Sequence, residues 1–387
     1  VRRTPVTGGR AALAGLAILI MAASGLTLVA GGTGPAGAAT AATAVAAAER
    51  ERWDTRVLTR VPRPGYPAFA YAHPNGRVYA GTFTNPTGDE TPSTIFEWTR
   101  RGTLLRSWTV PGQDLAGDQG AQAALSDASG RLVVLERSTA RVMRLSLETG
   151  RFTTYSRIPD LPTCAPGTAP DGTCSPNTVD GPAIPNFAAW GRKGVLYVTD
   201  YGQAVIWRIP PGGGRARAWF ADPRLDGGQF NTTGLLMAPN RKALLVAQQT
   251  SASTPRATQG SLFRLPVRDS GAPGRLRTLW TSRPGDLPDG FGIGRSGRIY
   301  LANAGLSQQL VVLSRRGREL ERFPAVPGTG ENGSPVPFDT PSSATFLGKR
   351  VLVANQSFFG NRDHHAILEV YVGERGKPVW IPRRAGR

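Results

Sequence analysis

From residue 65 onward, apolar and polar positions repeat one phrase along the chain: an apolar stretch, a turn of Gly, Asn or Arg, then a β-prone strand. Six copies are legible. Ala68-Phe69-Ala70-Tyr71 leads into Val78-Tyr79-Ala80, Ala123-Ala124-Leu125 into Leu132-Val133-Val134, and Phe187-Ala188-Ala189-Trp190 into Val195-Leu196-Tyr197-Val198. Leu235-Leu236-Met237 leads into Ala243-Leu244-Leu245-Val246, Phe291-Gly292-Ile293 into Ile299-Tyr300-Leu301, and Ala344-Thr345-Phe346 into Val351-Leu352-Val353. Turns such as Pro74-Asn75-Gly76-Arg77 carry hairpin chemistry. An alternating strand follows each hairpin (Ile95-Phe96-Glu97-Trp98 in the first copy), then a Gly-bearing turn and a fourth strand that ends near proline, as in Val110-Pro111 and Ile158-Pro159. The repeat averages about 55 residues, the length of a four-stranded blade with its loops. No helical period of comparable length competes. The pattern predicts an all-β fold, a six-bladed β-propeller of four-stranded antiparallel blades over residues 55–382. The stretch 56–62 has the fourth-strand ending but precedes the first hairpin, so it is expected to complete the last blade and close the ring. The segment 378–381 competes for that slot.

The ends of the chain alter the picture. Arg2, Arg3 and Arg10 precede an uncharged Ala/Leu/Ile-rich run over residues 11–30, and Ala36-Gly37-Ala38 is an A-x-A cleavage pattern. Residues 1–38 are expected to be a signal peptide, residues 39–54 a disordered lead-in, and residues 383–387 a basic tail. A secreted or cell-envelope location follows, and membrane attachment follows only if the apolar run is left uncleaved. Export agrees with the cysteines: Cys164 and Cys174 are the only two, they share one Pro/Gly-rich loop, and an oxidising compartment would join them. The formal charge of +19 is almost all Arg, with lysines at Lys193, Lys242, Lys349 and Lys377 alone. The arginines are scattered and no RNA- or DNA-binding signature accompanies them, so no nucleic-acid partner is expected. A monomer is.

Topology places the loops. The first two strands of each blade are joined by tight turns, so the long connections fall together on the opposite face, where binding residues concentrate. Aligning the repeats brings Ala68, Gln122, Asn186, Thr233, Asp289 and Ser342 to the channel mouth. The second-strand ends add Thr82, Glu136, Asp200, Gln248, Asn303 and Asn355. Gln122, Asn186, Asn303 and Asn355 are the expected ligand-binding amides for a small molecule at this mouth. Asp363-His364-His365 lies on the same face, and His364 or His365 could act as general base on an attacking water. On the short-turn face, Arg77, Arg131, Arg192, Arg241, Arg298 and Arg350 recur at hairpins, a ring suited to anionic polymers.

Leu287-Pro288-Asp289-Gly290-Phe291, with Pro185-Asn186-Phe187-Ala188-Ala189 two blades earlier, resembles the senescence-marker-protein/gluconolactonase family over roughly residues 55–375. The resemblance implies a six-bladed propeller that hydrolyses sugar lactones or related esters with one divalent metal, usually calcium, in the channel mouth. It makes Asp289 the metal-binding and catalytic aspartate and Asn186 the substrate-side asparagine. The family's second asparagine ligand falls on Thr233-Gly234, leaving Asn231 to reach in, and the first-blade glutamate has no match at Tyr66-Pro67-Ala68. The expected metal set is Asp289, Asn186, Asp200 and Asn231. Two functions compete: an exported, metal-dependent lactonase-like hydrolase, and a non-catalytic propeller that binds a carbohydrate, a peptide or a cell-wall component.

Overall fold

The computed structural model describes residues 50–83, 91–116, 118–253, 257–358 and 360–387. The expected signal peptide and lead-in residues 39–49 lie outside the described residues.

Six four-stranded antiparallel sheets span residues 67–109, 121–157, 185–221, 232–281, 288–323 and 341–371, here numbered blades one to six. In blades one to five the strands pair in chain order. In blade six the outermost strand is Thr55–Arg60, which pairs antiparallel with Ala366–Tyr371 from Thr55↔Val370 to Arg60↔Ala366. The innermost strand of each blade touches that of the next, and blade six touches blade one. The ring is thus closed by the N-terminal strand, as its proline-ended pattern predicts.

Inner strands are packed on both faces and read as nearly continuous apolar runs: Leu132–Glu136 and Ile299–Asn303 are buried throughout. Outer strands are half solvated, and Leu104–Thr109 is mostly exposed. Trp98, Trp190 and Trp207 are among the largest fully buried side chains; removing any one would cost about 3–5 kcal/mol.

One expectation about the ends is corrected, and the competition for the closing strand is decided. Residues 50–54, assigned to the unstructured lead-in, are packed on blades five and six. Trp53 stacks on Phe323 with ring centroids 4.7 Å apart, Arg50 reaches Asp54 and Glu369 at 2.6 Å each, and Arg52 reaches Glu321 at 2.8 Å. Their charge suggested solvent, but these arginines find carboxylates on the outer strands. The segment 378–381 forms no strand. It belongs to a C-terminal strap that crosses the short-turn face, from its Lys377 N–H on the Ile293 carbonyl of blade five to its Ala385 carbonyl, which accepts from the Ala128 N–H of blade two. Residues 383–387 are docked in the same way, with Arg131 and Arg144 donating to the Gly386 carbonyl.

Candidate functional site

A blade whose faces pack against its neighbours sends alternating side chains into the blade interfaces rather than down the channel. β-Bulges are the exception. Pairing of the first two strands slips between Pro67 and Ala70, Pro185 and Ala188, Thr232 and Leu235, and Pro288 and Phe291, and a bulge re-aims the residues within it. Ala68, Asn186, Thr233 and Asp289 sit inside these slips. Their successors converge: the Phe69 and Phe187 rings, from blades one and three, meet edge to face at 5.2 Å. Glycines make room for the rings. A Cβ on Gly290 would lie 3.0 Å from the Phe187 ring, and one on Gly234 would lie 2.8 Å from the Phe291 ring. The glycine of the P-D-G motif is therefore a packing requirement.

Asp289 is 8% exposed. Its Oδ2 accepts from Gln249 Nε2 at 3.1 Å, and Gln249 Oε1 accepts from the Tyr201 hydroxyl at 2.7 Å. Burial pushes the Asp289 carboxyl well above the usual carboxylate range, and the Gln249 amide and Gly290 N–H only partly offset it. Burial, reinforced by the Asp289 charge, also pushes the Tyr201 phenol up. The carboxyl is held toward its neutral form at the end of a polar chain that runs through blades three, four and five. Gln249 and Tyr201 were not foreseen; each directly follows a strand-end residue in sequence, which was their only sign.

Unsatisfied amides share this end of the channel. Asn186 Oδ1, Gln122 Nε2, Gln248 Nε2 and both amide atoms of Asn303 are buried and have no hydrogen-bond partner among the described residues. The other strand-end residues are consumed by the loops, a correction to the expected mouth set. Asp200 is fully buried and accepts from the Ile184, Gly202 and Gln203 N–H groups, the Gln203 side chain and the Trp207 indole. Burial raises its pKa to about 6 although these donors favour the charged form. Asn231 accepts from the Gly227 N–H and donates to the Tyr201 carbonyl. Asn355 accepts from the Asp339 N–H and donates to the Pro337 and His364 carbonyls. Glu136 holds Ser138, Thr139 and Arg141. Asp200, Asn355 and Glu136 are opposite the first residue of the inner strand, and long loops there leave backbone N–H groups that must be paired.

The histidines stand apart from Asp289. His364 Nδ1 lies 2.8 Å from Asp339 Oδ2, which also accepts from Ser357 at 2.6 Å. His365 is buried with its ring 4.2 Å from that of Tyr66, and burial depresses its pKa. Neither ring hydrogen-bonds to Asp289 or Asn186. Tyr66, Ala68 and Phe83 form an apolar sector, with Phe358 packed against it, where the family resemblance called for a glutamate.

A calcium-like ion takes about six to eight oxygens, several of them anionic. Of Asp289, Asn186, Asp200 and Asn231, the last two are committed to loops, which leaves one carboxylate and one neutral amide. Among the described residues no group of three or more His, Cys, Asp or Glu could hold a metal. The donors present do not fit a calcium cage.

The expected bond between Cys164 and Cys174 is formed, in the loop between blades two and three. The basic ring is not assembled. Arg77, Arg131, Arg192 and Arg350 are paired with Glu97, Asp127, Asp269 and Glu369, because the outer strands and turns supply acids beside them.

No family model and no curated protein sequence matches the chain. Solved structures do. A gluconolactonase from Xanthomonas campestris is 17% identical with a TM-score of 0.52, over 82% of this chain and 88% of that one. The calcium-binding protein regucalcin from Agrobacterium tumefaciens is 16% identical with a TM-score of 0.55, over 84% and 96%. A catalytically inactive histidine-to-alanine variant of virginiamycin B lyase from Staphylococcus aureus, with quinupristin, is 15% identical with a TM-score of 0.50, over 80% and 82%. At such identities the likeness establishes the fold. The resemblance first seen in a few residues thus extends to the tertiary structure, since gluconolactonase and regucalcin are among the neighbours.

Proposed function

We propose that the long-loop mouth binds a small, polar, uncharged ring compound of the sugar or sugar-lactone class, without a resident divalent ion, in a secreted or cell-envelope protein. One observation carries this reading: a buried carboxyl, pushed by burial toward its neutral form, shares the mouth end of the blades with amides that have no partner among the described residues. In its protonated form Asp289 both donates and accepts, Asn186 Oδ1 accepts and Gln122 Nε2 donates. That set suits hydroxyls and a ring carbonyl and disfavours an anion. Each buried polar atom without a partner costs about 1–3 kcal/mol, which ligand hydroxyls would offset. The gluconolactonase neighbour supports the ligand class, and the Cys164–Cys174 bond supports an oxidising compartment.

Hydrolysis of the same ligand class is the second reading, favoured by the His364–Asp339 pair. A histidine oriented through Nδ1 by a carboxylate offers Nε2 as a base for water.

Calorimetric titration of gluconolactone and glucose in the presence of a chelator tests the first reading. Asp289→Asn should bind as the native chain does, and Asp289→Ala should bind at least about tenfold more weakly. A thermal midpoint that rises with calcium, and no longer does so in Asp289→Ala, would overturn the metal-free reading in favour of the metal-dependent lactonase. Lactone turnover that disappears in His364→Gln would make the protein a hydrolase.

A further inference from the structure

At the short-turn end of the channel, below the Phe69, Phe187 and Phe291 rings, lies a cavity of about 670 Å³. Small-molecule pockets span roughly 300–1,000 Å³. Leu235 and Met237 of blade four and Phe346 of blade six help to line it. Its other polar tips are tied back: the Tyr71 hydroxyl lies 2.9 Å from Ser126 Oγ, the Trp190 indole donates to the Ser126 carbonyl at 2.8 Å, and the Thr345 hydroxyl donates to the Ala70 carbonyl. Burial pushes the Tyr71 phenol up to about 12, so it adds no charge. The strap forms one side. Gly376 bridges to Gly294, and the Arg241 guanidinium sits 5.0 Å from the Trp380 ring centroid.

Cations gather where the strap crosses. Arg241, Arg295, Arg375 and Lys377 all line the cavity, and among the described residues none of their side chains has a carboxylate partner. The adjacent acid, Glu374, is held by Ser296 and Tyr300. Most of the hairpin arginines elsewhere on this face are paired, and four cations against the one Glu374 carboxylate leave a net positive charge local to the cavity. An apolar chamber with unneutralised cations at its rim complements a molecule with an aliphatic body and one anionic head.

We propose that this cavity binds a medium- to long-chain aliphatic carboxylate. The chain lies among Phe69, Phe187, Leu235 and Met237, and the carboxylate meets Arg375, Lys377 and Arg295. Trp380 on the strap covers the chain. The site is distinct from the sugar-class mouth, because its lining includes neither Asp289, Gln249 and Tyr201 nor the unpaired amides.

The test is calorimetric titration of the purified chain with octanoate, dodecanoate and dodecanol, each below its aggregation limit. A buried methylene adds roughly fourfold in affinity, so dodecanoate is expected to bind at least about thirtyfold more tightly than octanoate. Dodecanol should bind about tenfold more weakly than dodecanoate. Arg375→Gln combined with Lys377→Gln, on the exposed side of the strap, should weaken dodecanoate about tenfold and leave dodecanol unchanged. Met237→Trp, which fills the chamber, should remove the chain-length dependence, and if it does not fold the charge variant decides alone. Equal binding of octanoate and dodecanoate, chain-length dependence retained in folded Met237→Trp, or dodecanoate binding indifferent to the two cations would each overturn the proposal. Gluconolactone binding measured on the same variants keeps the two sites' outcomes separate.

Discussion

Two buried aspartates at corresponding ends of the inner hairpins have opposite fates, and the difference lies in their partners. Asp200 accepts five hydrogen bonds and works as a cap for loops; Asp289 receives one side-chain bond, from Gln249, and stays poised toward neutrality. The folded chain therefore holds the Asp289 proton more tightly than the unfolded chain does. Its contribution to stability is complete below the ordinary carboxylate pKa of about 4 and is lost as pH rises through the raised folded value. Asp289→Asn keeps an acceptor for Gln249 and removes the charge. Its thermal midpoint should exceed the native one at about pH 8, with the gain shrinking toward about pH 4. A gain that does not vary with pH would mean that Asp289 titrates normally. The repeat alone aligned Asp289 and Asn186 at one end of the inner strands, and both lie in bulges there. Whether Asp200, Asn231 and Asn355 were free or spent was not legible, because their donors come from loops distant in sequence.

Among the elements, the loop between blades two and three has more than its disulfide to hold it. The Cys164 N–H donates to the Ser175 carbonyl, and Asn177 binds the Gly202 carbonyl and the Ala204 N–H. The bond closes a short loop, with a sequence separation of 10, so its loss should cost about 2–3 kcal/mol. Replacing both cysteines by serine is expected to lower the midpoint by only a few degrees. Far-ultraviolet circular dichroism should be unchanged, and proteolysis should speed up within residues 160–182. Collapse of the β signal would show that the ring depends on the bond. That the chain has two cysteines, both in one loop, indicated this bond together with the expected export. The bulges that aim Asn186 and Asp289 have no comparable signature, since they arise from pairing with a second strand.

For the whole molecule, closure decides stability. The strand Thr55–Arg60 covers the edge of Ala366–Tyr371, and Trp53 and Arg50 extend the clasp. Removing residues through 60 would expose Ala366–Tyr371 as an unpaired apolar edge. Such a chain should lose cooperative thermal unfolding and self-associate in size-exclusion chromatography. A monomer with an unchanged midpoint would make the clasp dispensable.

Alternation of apolar and polar positions, the turn residues and the repeat length were sufficient for the blade count and the strand order within a blade, and they narrowed the closing strand to two candidates, between which the pairing of Thr55–Arg60 with Ala366–Tyr371 decided. These are properties of nearest-neighbour packing, and each repeat carries its own copy of the information. Tertiary structure alone decided which strand-end polar residues stay free, that the first-blade sector of the mouth is apolar, and that the C-terminal strap walls a second, cation-rimmed cavity. Each of these depends on contacts between residues far apart in the chain, which side-chain periodicity within a single repeat does not encode.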